Sequence, residues 1–233
     1  GVGEHPHRGF ETVTIVYEGM VAHRDSAGNA GVIGPGDVQW MTAASGIVHE
    51  ELHEKEWAKN GGTLHAIQLW VNLPKASKMS APGYQTILDA NIPAIDLEGR
   101  AGRLRVIAGS FLGHKGPAHT VTPIELYDLQ LKAGTSVSLR LPEGHNASLF
   151  VLQGHASVNG SQTAGEAELI VCTKNGSQIA VAAHEDSRLL VMAGEPIDEP
   201  IARYGPFVMN TKAELVQAVN DYQAGKMGHL SGR

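Results

Sequence analysis

The chain is poor in cysteine. Cys172 is the only one in 233 residues, so no internal disulfide framework can form, and a reducing, cytoplasmic setting is the simple expectation. Aromatic residues make up only 5%, while glycine is abundant at 28 residues. That balance favours a fold with many turns, all-β or mixed, over a helical bundle. Runs of Lys or Arg are absent and the net charge is −6, which argues against a nucleic-acid surface. No stretch approaches the roughly 18 apolar residues that cross a membrane, and no secretory leader pattern is read in it. What remains is 42% apolar and 18% charged residues, enough to bury a core in one large domain or two small ones.

Short β runs separated by turn signals fill the sequence. FETVTIVYEG alternates Phe10, Thr12, Thr14 and Val16 with Val13, Ile15 and Tyr17, and Gly19 ends it. DSAGNAG at 25–31 reads as a turn before VIGPGDVQWM. Further runs are TLHAIQLWVNL (63–73), RLRVIAGSF (103–111), IELYDLQL (124–131), TSVSLRL (135–141), ASLFVLQG (147–154), AELIVCT (167–173), SQIAVAA (177–183) and SRLLVMAG (187–194). Turn signals every 8 to 12 residues or so predict a sandwich or barrel. One helix is expected near the C-terminus, where Thr211 and Glu214 fit a capping box, Leu215, Val216 and Val219 give an apolar stripe, and Gly225 is a stop.

A weak internal repeat is also legible. Val16-Tyr17-Glu18-Gly19 followed by Pro35-Gly36-Asp37 matches Val151-Leu152-Gln153-Gly154 followed by Ala164-Gly165-Glu166. Two such units predict two stacked barrels. The Gly-, Pro- and His-rich segment GHKGPAHTVTP (113–123) is the expected boundary, giving domains 1–115 and 116–233.

The chemistry concentrates in histidines at i, i+2 spacing. On a strand, residues two apart point to one face, so His5 and His7 can converge on one ion, and so can His49 and Glu51. On neighbouring strands the two pairs would present three imidazoles and one carboxylate to a common point. Such a set suits Fe, Ni, Cu or Zn, and the carboxylate keeps it compatible with divalent iron. A competing pattern overlaps it. HEELH, from His49 to His53, spells the H-E-x-x-H of zinc proteases, which requires a helix. The preceding residues read as strands, and no third ligand follows at protease spacing. His53 is therefore expected to be a solvated bystander.

HPHRGFETVTIVYEG, AHRDSAGNAGVIGPGDVQWMTAASGIVHEE, QLWVNLP and GPFVMNT together closely resemble the pirin family of the cupin superfamily, over nearly the whole chain. The resemblance implies an all-β fold of two cupin-type barrels with a short C-terminal helix, a bicupin in which only the N-terminal barrel holds metal. It implies His5, His7, His49 and Glu51 as the ligands. The ion would be iron first, with nickel, copper, manganese and zinc as alternatives. Many cupins use a Glu four residues after the second His, here Glu11, but the pirin pattern favours Glu51 and leaves Glu11 behind the ligands. Family members carry further strands before HPHRGFE, so an unpaired strand edge is expected in the first barrel. Some pirins resemble quercetinases, which cleave flavonols with O2. A flavonol 3-hydroxyl would then bind the metal, Glu51 would accept its proton, and ring opening would release CO. Others are iron-dependent, redox-sensing regulators that bind a protein partner without turnover, and the acidic balance suits a protein better than direct DNA contact.

The remaining candidates receive plainer readings. Glu50 is expected to be a solvated charge on the opposite face from Glu51. His65 is expected to be a satisfied barrel histidine, Trp40 and Met41 core, and His23 and Arg24 surface residues. In the second half, His145, His155 and His184 do not restore a four-ligand pattern, and Cys172 is expected in the core.

Overall fold

The structure, a computed structural model, describes residues 1–230. It contains two compact units: Gly1–Asp89 together with the chain from Ile197 onward, and Ala90–Pro196. The first unit opens with β1 (Val2–His7), β2 (Phe10–Glu18), β3 (Val21–Asp25), β4 (Ala30–Ile33), β5 (Val38–Thr42) and β6 (Ile47–His53). A short helix α1 (Lys55–Asn60) then leads to β7 (His65–Asn72) and β8 (Gly83–Ile87). These strands make two four-stranded sheets, ordered β1-β6-β3-β4 and β7-β2-β5-β8, with every pairing antiparallel. The β-branched and aromatic run of β2 suits a pleated surface. Its first eight residues are all buried, so neither of its faces is solvated.

The second unit comprises β9 (Ala94–Asp96), β10 (Gly102–Ala108), β11 (Ser110–Phe111), β12 (His114–Lys115), β13 (Ile124–Leu131), β14 (Ser136–Arg140), β15 (Asn146–Gln153), β16 (Ala156–Val158), β17 (Gln162–Ala164), β18 (Leu169–Val171), β19 (Gln178–Ala183) and β20 (Ser187–Gly194). Its main sheets run β14-β19-β16-β17 and β18-β15-β20-β13-β10-β9. Leu104, Leu129, Leu139, Leu149, Val151, Val181, Leu189 and Val191, all fully buried, form one continuous core between them.

The chain then rejoins the first unit through the hairpin β21 (Ala202–Tyr204) and β22 (Phe207–Met209) and the helix α2 (Lys212–Gln223). Thr211 and Glu214 form the capping box expected of them, and Gly225 just past the helix takes the left-handed conformation, φ +72°. The expected boundary at 113–123 lies elsewhere. Residues 90–115 belong to the second unit because β10 pairs with β13 and β9 pairs with β10. The Gly- and His-rich stretch starts on the small β11-β12 hairpin. Its composition marked a loop, and loops and linkers share that composition.

The repeat is real in topology, with its register two residues from the sequence match. Val16 N–H donates to Asp37 O and Gly36 N–H to Val16 O; likewise Val151 N–H donates to Glu168 O and Ala167 N–H to Val151 O. Asp37 accepts from Gly34 N–H, as Glu168 does from Gly165 N–H. Gly34-Pro35-Gly36-Asp37 therefore corresponds to Gly165-Glu166-Ala167-Glu168. A bulge follows Val16 in one unit and Val151 in the other.

A candidate metal centre in the first barrel

β6 is flanked by β1 and β3. Register places His5 opposite His49 on one side; on the other, Asp25 lies opposite His49 and His23 opposite Glu51. Three i, i+2 pairs on three adjacent strands, His5/His7, His49/Glu51 and His23/Asp25, thus share one face. HEELH lies on β6. At about 3.3 Å per residue, His49 and His53 are roughly 13 Å apart, too far to share an ion. His53 is exposed and packs edge-on against Trp57.

The three expected imidazoles converge. His5 Nε2 lies 3.1 Å from His7 Nε2 and 2.9 Å from His49 Nε2. His5 Nδ1 faces Gly3 O at 2.8 Å, and His7 Nδ1 faces Pro206 O at 3.4 Å. A carbonyl can only accept, so in the neutral rings each Nδ1 carries the hydrogen and each Nε2 keeps its lone pair. Two lone pairs then face each other across 3.1 Å with no proton between them, an arrangement that calls for a cation. Nitrogens about 2.1 Å from a divalent ion lie about 3.0 Å apart at right angles and about 3.4 Å apart at the tetrahedral angle. The observed spacings match the right-angle value. His49 Nδ1 is buried and makes no hydrogen bond.

The surroundings hold His7 and His49 neutral. Burial, then the neighbouring His5, pulls the His7 pKa from 6.5 down to about 4. Burial, followed by His7, His5 and His23, takes His49 to about 2. Neutral imidazole is the metal-binding form, so protons compete weakly here.

Glu51 is held differently. Gln68 Nε2 donates to both carboxylate oxygens, at 2.9 and 2.7 Å, and Thr14 Oγ1 donates at 3.2 Å. Trp70 Nε1 in turn donates to Gln68 Oε1 at 3.3 Å. The metal-capable donors fall into two groups, each with its atoms within 4.8 Å of one another: His5, His7 and His49; and His23, His49 and Glu51. The three expected imidazoles therefore fall in one group, while Glu51 groups with His49 and His23 and not with His5 and His7. Glu11 lies outside both groups. It is buried, accepts from Thr42 Oγ1 at 2.6 Å, and burial raises its pKa.

Two expectations are overturned. His23 is buried, at 4% exposure, because β3 alternates inward at Val21, His23 and Asp25. His23-x-Asp25 repeats the i, i+2 signal of the other two pairs, which is how sequence could have found it. Glu50 does face away from Glu51, but it is buried and accepts from Arg24 Nε at 2.5 Å. Trp40 and Met41 are fully buried, as expected. His65 stands beside Tyr17, with ring centroids 5.3 Å apart.

The C-terminal segment braces the turn after His7. Arg8 donates through Nε to Ser45 O at 2.6 Å and through Nη1 to Asp221 on α2 at 2.9 Å. Gly9 is required there: its φ is +89°, and a Cβ would lie 2.0 Å from Val208 O. Lys78, fully buried, donates to Gly9 O, Asn72 Oδ1 and Val208 O at 2.6–2.9 Å. Above the histidines, Trp70 lies 5.3 Å from the His7 ring and 4.4 Å from Phe10. A cavity of about 290 Å³, lined by Thr14, Glu51, Leu52, Leu64, Ala66 and Gln68, opens onto the carboxylate.

Among the described residues neither metal-capable group draws on the second unit. Its cavity of about 600 Å³ is lined by Arg103, Lys132 and Arg188, which sit 4.0, 2.8 and 2.6 Å from Asp96, Asp186 and Asp128. Cys172 is half-buried against the core, and burial raises its thiol pKa, which favours the protonated thiol.

Residues 1–71 match the family described as pirin, and residues 126–228 match the pirin C-terminal cupin domain. A Pseudomonas aeruginosa protein provisionally named quercetin 2,3-dioxygenase is 54% identical, over 97% of this chain and 79% of its own length. A tomato pirin-like protein is 40% identical, over all of this chain and 79% of its own. The crystal structure of quercetin 2,3-dioxygenase from Acinetobacter baumannii superposes with a TM-score of 0.96 at 47% identity, covering 99% of this chain and 80% of that one. A bacterial pirin from Escherichia coli, in complex with nickel(II), gives 0.66 at 25% identity, covering 84% of this chain and 77% of that one. Two cupin barrels joined in one chain, with the histidine cluster confined to the first, thus accompany extensive sequence identity, and the chain belongs to the pirin family.

Proposed function

We propose that His5, His7, His49 and Glu51 hold a divalent metal, iron first, and that the chain is a flavonol-cleaving dioxygenase of the quercetin 2,3-dioxygenase type. The observation that carries the metal assignment is the pair of His5 and His7 Nε2 atoms at 3.1 Å, with each Nδ1 turned to a backbone carbonyl, of Gly3 and Pro206. The bound ion would supply Lewis acidity to a hydroxyl placed against it.

The chain's own residues do the rest. Gln68 and Thr14 orient the Glu51 carboxylate, which accepts the proton of the substrate hydroxyl. Trp70 is half-exposed beside His7 and leans on Phe10, giving a flat aromatic platform for a planar ring system. The cavity at Glu51, about 290 Å³, is at the small end of the roughly 300–1,000 Å³ range of ligand pockets. The names of the relatives support the flavonol.

The test is O2-dependent loss of quercetin absorbance with CO trapped, on iron-loaded protein, with metal content measured and His49→Ala as control. Turnover in the wild type and none in the variant is the expected result. Bound metal without turnover removes the dioxygenase and leaves a non-enzymatic iron protein.

A further inference from the structure

We propose that His23 is a metal ligand, and that His23, His49 and Glu51 form a second donor set overlapping the first at His49 and Glu51. This rests on the metal-centre reading above and extends it from four donors to five.

His23 is buried, yet neither of its ring nitrogens makes a hydrogen bond. A neutral imidazole has one N–H and one lone pair to satisfy, and a buried polar group without a partner costs about 1–3 kcal/mol. The nearest acid makes only a long contact: Asp25 Oδ2 is 3.7 Å from His23 Nε2, close enough to help hold the Asp25 carboxyl below its usual range but too long for a hydrogen bond. That carboxylate is already engaged by Ala27 N–H, Asn29 N–H and Asn29 Nδ2 in the turn after β3. The ring is also fixed in place, stacked on Tyr84 at 5.0 Å and 15°.

The position is as specific as the orientation. Register sets His23 opposite Glu51, and the donor atoms of His23, His49 and Glu51 lie within 4.8 Å of one another. Two donors on one ion are at most about 4.2 Å apart when each bond is about 2.1 Å. The three donors therefore lie near the span that one ion can bridge. An ion held by His5, His7 and His49 has a neighbouring position that shares His49, is flanked by Glu51 and adds an orphaned nitrogen. His23 supplies that position.

Metal binding itself tests this, with nickel(II) and cobalt(II) as probes. The full chain is compared as wild type, His5→Ala/His7→Ala, and the same double variant carrying His23→Gln, with folding checked by thermal unfolding. The wild type is expected to bind one ion. The double variant should keep it at least 10-fold more weakly, and adding His23→Gln should abolish it. In the otherwise intact chain, His23→Gln should shift the cobalt(II) visible spectrum; this arm stands even where the double variant fails to fold. A folded double variant that binds no metal overturns the second set alone. An unchanged residual affinity or an unchanged cobalt spectrum after His23→Gln does the same. A wild type that takes up neither ion sinks the metal centre and this inference together.

Discussion

The two barrels share a strand plan and differ in what faces inward. The sheet β1-β6-β3-β4 corresponds to β14-β19-β16-β17, and β7-β2-β5 to β20-β15-β18. Aligned through the equivalent bulges, Thr14 with its partners Gln39 and Gln68 falls on Leu149 with Ile170 and Val191. The pair His23–Glu51 falls on Val158–Val181, and His5–His49 on Leu139–Ile179. Each polar side chain in the first barrel is an aliphatic one in the second. One barrel keeps its hydrocarbon core and its stability. Its neighbour gives that core up for a row of imidazoles, a carboxylate and the amides that hold them.

Exchanging one such position should have the largest effect. Val181→Glu puts a carboxylate into a core with no partner for it, at a cost of several kcal/mol, a large share of the roughly 5–15 kcal/mol of a domain. Thermal unfolding should show the second barrel lost, whereas Glu51→Val should leave the first folded. Truncation sharpens the contrast. Leu149→Ala should cost about 2–5 kcal/mol in urea unfolding, and Thr14→Ala about 1 kcal/mol.

Smaller effects probe the groups behind the ligands. Gln68→Leu removes both amide contacts to Glu51 and should weaken metal affinity about 10- to 100-fold, read by titration with nickel(II). Acid should separate the barrels as well. His7 and His49 titrate lower when folded than the ordinary 6.5, so below that pH the unfolded chain binds more protons and metal-free stability falls. The fall should begin near pH 6.5, by about 1.4 kcal/mol per pH unit for each histidine, and end near pH 4 for His7 and near pH 2 for His49. Hydrogen exchange should locate it in the first barrel.

Much of this was legible in the sequence. Alternation and turn spacing gave the strands, and IELYDLQL and SRLLVMAG are β13 and β20 end to end. Spacing also pointed to His5, His7, His49 and Glu51. What escaped were facts of long-range pairing. His23 looked like a surface residue because its strand is short and polar; its i, i+2 spacing to Asp25 was the one local hint, and register with β6 sets it beside Glu51. The boundary at 113–123 followed loop composition, whereas β10 pairing with β13 decides membership. The return of α2 to the first unit rests on Arg8 and Asp221, 213 residues apart, and no local pattern reports that.

The account turns on a metal centre confined to the first barrel and organised around His49. The most direct measurement is the metal content of wild type and His49→Ala after anaerobic loading with iron(II) and desalting, with near-UV circular dichroism to confirm the fold. One ion per chain in the wild type and none in a folded His49→Ala is the predicted result. An iron-free wild type, or a folded variant that keeps its ion, would contradict it.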